Sequence, residues 1–144
     1  TNQMMRVLCR AAVLGAAAFF TGQGALAQAL ACGAEMKNAR LAESARYAVA
    51  YRMIPAKIEV SKHFSLELAV CAKDGAPEPD ALRIVARMPE HGHGMNYKAA
   101  VKPLGGGRFQ ADGLMFHMPG RWQFEFEVDS GKISERVLHD FMLR

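Results

Sequence analysis

From residue 46 onward, apolar and polar residues alternate with a period of two. Tyr47, Val49, Tyr51 and Met53 alternate with Ala48, Ala50 and Arg52. Phe64, Leu66, Leu68 and Val70 alternate with Ser65, Glu67 and Ala69. Leu82, Ile84, Ala86 and Met88 alternate with Arg83, Val85 and Arg87, and Trp122, Phe124, Phe126 and Val128 with Gln123, Glu125, Glu127 and Asp129. Successive side chains of a strand point to opposite faces, so this pattern predicts half-buried antiparallel strands. Arg108 to Asp112 and Glu135 to Met142 read as two further strands. Lys73-Asp74-Gly75-Ala76-Pro77, Pro103 with Gly105-Gly106-Gly107, and Asp129-Ser130-Gly131-Lys132 supply the turns between runs. About seven strands at this spacing predict an all-β fold, a small immunoglobulin-like antiparallel β-sandwich. Trp122, the one tryptophan of the chain, is expected in the core between the sheets.

The first residues follow a different pattern. Met4 to Arg10 is short and basic, Ala11 to Leu30 carries no charge, and Ala25-Leu26-Ala27 and Ala29-Leu30-Ala31 both fit a small-residue cleavage site. A charged start, an apolar middle and a small-residue exit describe a secretory signal peptide, here a signal helix over residues 1–31. The most apolar part, Ala11 to Phe20, is short against the roughly 20 residues of a bilayer span, which argues against an uncleaved anchor. Lipidation at Cys32 is a third alternative, although the leucine before it sits one place late. Residues 32–45 are polar and alanine-rich and read as a flexible lead-in or a short helix. Residues 46–144 are then the β-sandwich domain, and the expected location is periplasmic.

Removing residues 1–31 takes away Arg6 and Arg10. Lys+Arg falls from 18 to 16 against 14 Asp+Glu, and the net charge from +4 to +2. That small, scattered excess excludes a nucleic-acid footprint. Of three cysteines, Cys9 falls in the signal segment. In an oxidising compartment Cys32 and Cys71 read first as a disulfide; a metal-binding thiolate pair is the alternative, and neither cysteine belongs to a C-x-x-C motif. The chain contains no G-x-S-x-G elbow, P-loop or H-E-x-x-H, so no enzyme and no small-molecule substrate are expected.

The candidate chemistry lies in two short stretches. "MPEHGHGM", residues 88–95, holds His91, His93 and Met95; His117-Met118 sits just before the turn Pro119-Gly120. Imidazole nitrogen suits copper and zinc, and thioether sulfur is soft and suits Cu(I), so a His/Met set points to a copper ion. Both stretches adjoin strand ends, which gather at the ends of a sandwich. The competing reading is structural. Met88 continues an inward strand face, Met115 lies in an apolar run, and two glycines make Pro89 to Gly94 a natural bend. His63 and His139 stand alone on strands and read as structural or exposed.

With Met88-Pro89-Glu90-His91-Gly92-His93-Gly94, then Gly107-Arg108-Phe109, then Met118-Pro119-Gly120-Arg121-Trp122, the chain resembles the YtkA-like and FixH-like families of exported immunoglobulin-like domains. The three elements occur in order across residues 88–128. The resemblance implies a small exported or membrane-anchored sandwich without catalysis, linked to copper handling or to assembly of respiratory oxidases. Its histidines fall on His91 and His93, and its late methionine on Met118. The resulting expectation is a periplasmic copper chaperone or storage module using His91, His93, Met95, His117 and Met118. Its partner would be a copper-accepting protein or a membrane complex. A metal-free interaction module in assembly of such a complex is the alternative.

Overall fold

The structure, a computed structural model, describes residues 31–144. The expected signal peptide lies outside the described residues except for Ala31. Among residues 32–144 the regular elements are strands: β1 (Arg40–Glu43), β2 (Tyr47–Ile54), β3 (His63–Ala72), β4 (Ala81–Met88), β5 (His93–Gly94), β6 (Ala100–Gly105), β7 (Arg108–Met115), β8 (Gly120–Asp129) and β9 (Ser134–Leu143). They form two antiparallel sheets, a five-stranded one in the order β1-β2-β3-β7-β6 and a four-stranded one in the order β5-β4-β8-β9. The all-β sandwich is as the alternation predicts, with nine strands rather than about seven. Three strands lie outside the runs that predict strands. β6 takes in Pro103 and Gly105, expected as turn residues, with Pro103 opposite Phe109. β1 has four residues and β5 two, too few for a period of two to be read.

The inward sets of the alternating runs form the core. Val49, Tyr51, Leu66 and Leu68 from one sheet meet Ala86, Trp122, Phe124, Phe126 and Val137 from the other, all essentially inaccessible to solvent. Trp122 is in the core, as its position in the β8 pattern requires. The outer face of the four-stranded sheet carries paired charges instead. Arg83 pairs with Glu127, and Glu125 lies between Arg87 and Arg136. The exposed Arg83–Glu127 pair fixes cross-strand neighbours more than it adds stability, whereas the Glu125 carboxylate is buried beneath its two arginines.

The 32–45 stretch differs from the expected flexible lead-in or short helix: it holds a run of turns and then β1, which pairs with β2 in the register Arg40↔Tyr51 to Glu43↔Ala48. Its first residues pack on the outer face of β2 and β3. Cys32 is joined to Cys71 across a sequence separation of 39, and Cys32, Met36, Ala48, Ala50 and Ala69 make a second, small core. Two outward residues of β2, Ala48 and Ala50, are therefore buried as well. They are alanines because the lead-in lies so close: a Cβ on Gly33 would sit 2.4 Å from that of Ala50.

Candidate metal centre

β4 ends on Met88, whose side chain is 1% exposed. Its carbonyl accepts the N–H groups of both His91 and Gly92 at 3.1 Å. Gly92 has φ +67°, a left-handed conformation that glycine adopts freely, and the chain reverses there. It returns as β5 in the register Met88↔His93 and Arg87↔Gly94, and the Met95 N–H then donates to the Ala86 carbonyl at 2.9 Å. Directly opposite residues of an antiparallel pair share a face. His93 therefore lies on the inner side with Met88, at the rim of the core. A Cβ on Gly94 would come within 3.2 Å of the Ala86 carbonyl oxygen, so glycine suits this close return.

The second stretch is the crossing from β7 in one sheet to β8 in the other. Phe116 is fully buried and stacks on Trp122 with ring centroids 4.4 Å apart. The Trp122 indole N–H donates to the Met118 carbonyl at 3.1 Å, which fixes the loop against the core. His117 packs edge-on to Trp122 at 5.4 Å.

The two stretches meet. His93 and His117 have ring centroids 5.1 Å apart, and His91 and His93 5.7 Å. Trp122, His117, His93 and His91 thus form a row of rings from the core to the surface. His117 is half-buried; His91 and His93 are exposed. Nδ1 of His117 is shielded from solvent and has no hydrogen-bond partner among the described residues. Such an atom costs about 1–3 kcal/mol when left unsatisfied.

Imidazole nitrogen suits copper and zinc, and thioether sulfur suits Cu(I). Two imidazoles sharing a metal at about 2.0 Å per nitrogen have centroids roughly 5–6 Å apart, the spacing of both neighbouring pairs. Met95 and Met118, half-buried, pack against the rim of the core. Among the described residues, no three His, Cys, Asp or Glu side chains form a finished metal cage. Capture of an ion would therefore require the exposed rings to rotate. Met88 is core: its Cε would be only 2.8 Å from a Cβ on Gly120. Cys32 and Cys71 are engaged with one another and offer no thiolate.

The other two histidines stand apart from the row. His63 packs edge-on against Tyr97 at 5.1 Å. His139 meets the Tyr51 hydroxyl across the sheets at 2.5 Å. Burial, and then the Arg40 charge, lower its pKa from the ordinary imidazole value. Neither the indole wall of the row nor the Tyr51–His139 contact was expected from the sequence. Both depend on which faces of the two sheets come together, and spacing along one strand carries no such signal.

No protein-family model matches the chain, and no curated protein matches it. Among solved structures, a DUF4426 family protein from Pseudomonas aeruginosa PAO1 is similar, with a TM-score of 0.51 at 10% sequence identity. The match covers 75% of this chain and 96% of that one. At that identity the likeness is one of fold, a β-sandwich, and fold alone does not carry function.

Proposed function

We propose that this protein is an exported copper-binding sandwich of the YtkA-like and FixH-like kind, a periplasmic chaperone or storage and delivery module. The observation that carries the reading is the meeting of His93 and His117, from separate loops, at 5.1 Å, with a shielded, unpartnered nitrogen on His117. In this reading His93 and His117 hold the ion, His91 is the outermost donor, and Met95 and Met118 supply thioether sulfur. The exposure of His91 and His93 suits ligand exchange with a copper-accepting protein. Titration of the purified protein with copper tests it. Binding tighter than about micromolar, roughly 8 kcal/mol, is expected and should be lost in His93→Ala/His117→Ala. Weaker binding in the parent, or an unchanged affinity in the double variant, would sink the reading.

A metal-free interaction module is the second reading, and one surface favours it. Beside the open edge of β4 lies a groove of about 320 Å³ lined by Ile84, Val85, Met95, Tyr97 and Ala99 among others. Tyr97 is 45% exposed there. Aromatic residues are enriched at protein interfaces. On this reading Tyr97→Ala abolishes capture of a membrane complex while copper leaves the melting temperature unchanged.

A further inference from the structure

The two stretches that build the histidine row, residues 88–95 and 115–120, contain one acidic side chain, Glu90. A carboxylate beside imidazoles would be an obvious ligand for a divalent ion. Glu90 is instead held elsewhere. Its Oε1 accepts from Nε of Arg121 at 3.2 Å, and Nη1 of Arg121 donates to Asp140 at 3.1 Å. On β8, Trp122 points inward and is fully buried, so Arg121 before it points to the outer face. The ion pair draws the Glu90 carboxylate to that outer face, whereas His93 and His117 line the inner rim beside Trp122.

The donors the row offers are imidazole nitrogens, with Met95 and Met118 packed against the neighbouring core. Removing an ion from water costs more as the square of its charge, and a buried charge needs a compensating partner. A divalent ion on His117, the half-buried end of the row, would have no carboxylate beside it. At equal radius a monovalent ion bears about a quarter of that cost, and thioether sulfur favours Cu(I). We propose that Arg121, by holding Glu90 on the outer face, makes the site selective for Cu(I) over Cu(II). The proposal rests on the copper reading of the row and assigns Arg121 as a positioning residue.

The test is a pair of competition titrations on the full chain, one with Cu(I) and a chromophoric Cu(I) chelator under reducing conditions, one with Cu(II). The parent should bind Cu(I) at least about tenfold more tightly than Cu(II), roughly 1.4 kcal/mol. Arg121→Ala should strengthen Cu(II) binding at least about tenfold, and Arg121→Ala/Glu90→Gln should reverse that gain. Glu90→Gln alone keeps Arg121 and should leave both affinities unchanged. Equal or tighter binding of Cu(II) by the parent overturns the proposal but leaves the copper reading standing. So does a loss of copper affinity in Glu90→Gln, or an Arg121→Ala variant that melts like the parent and keeps its Cu(I) preference. Failure of the parent to bind either ion overturns both.

Discussion

The hydroxyl of Tyr51 on β2 reaches Nδ1 of His139 on β9 at 2.5 Å, so the two sheets are joined by a hydrogen bond as well as by apolar packing. Burial pushes the Tyr51 phenol pKa well above its ordinary value, so the hydroxyl keeps its proton and can pair with the imidazole nitrogen. Tyr51→Phe preserves the ring contacts with Phe124 and Phe126 but leaves the His139 nitrogen without its hydrogen-bond partner. It should cost about 1–3 kcal/mol in urea unfolding.

The same histidine makes stability depend on pH. Its folded pKa is depressed, first by burial and then by Arg40, while Asp140 acts in the opposite direction. In the unfolded chain it takes up a proton near pH 6.5. The unfolded state therefore binds more protons between the folded pKa and about 6.5. This contribution is fully present above about pH 6.5 and is lost as the pH falls from there towards the folded pKa. Urea midpoints at pH 7.5 and pH 5.5 should differ less in His139→Gln than in the parent.

The disulfide spans 39 residues of sequence. Closing a loop of that length restricts the unfolded chain by about 4 kcal/mol on the chain-entropy model. Cys32→Ala/Cys71→Ala should lose stability of that order by denaturant unfolding. The loosened lead-in should also expose Ala48 and Ala50, read as faster amide exchange on β2.

The glycines before β7 separate two costs of a side chain. Gly106 has φ +61° and open space around a would-be Cβ; Gly107 has φ +76°, and its Cβ would lie 2.5 Å from the Val70 carbonyl oxygen. Gly106→Ala should cost only the left-handed backbone, about 1–2 kcal/mol. Gly107→Ala should cost more, because β3 and β7 must also move apart. Paired thermal melts check the order.

If the histidine row holds copper, the ion stabilises the folded state by mass action. At a hundredfold excess over the dissociation constant the gain is roughly 2.7 kcal/mol, several degrees in melting temperature. His117→Ala should abolish that rise. An equal rise in this variant would place the ion elsewhere.

Alternation made most of the fold legible. The inward and outward residues of β3, β4 and β8 could be read directly from residues 64–70, 82–88 and 122–128. The pattern failed where burial has another cause. Ala48 and Ala50 look like the polar face of β2, yet they are covered by Cys32 and Met36, and small side chains do not announce which face they occupy. The candidate residues were visible by type, as His91, His93 and His117. Their proximity was legible only as a consequence of strand ends collecting at one end of a sandwich. Which side of the rim each ring occupies follows from the Met88↔His93 register, set by the bend at Gly92.

The row of rings ends on the only tryptophan of the chain, sandwiched between the deep core at Phe116 and the surface histidines. Its fluorescence therefore answers to both. Unfolding wets a fully buried indole and shifts its emission to the red, whereas a paramagnetic Cu(II) ion on His117 quenches it without a shift. A closed-shell Cu(I) ion lacks that paramagnetic route, so one native chromophore separates folding, occupancy and valence without a label.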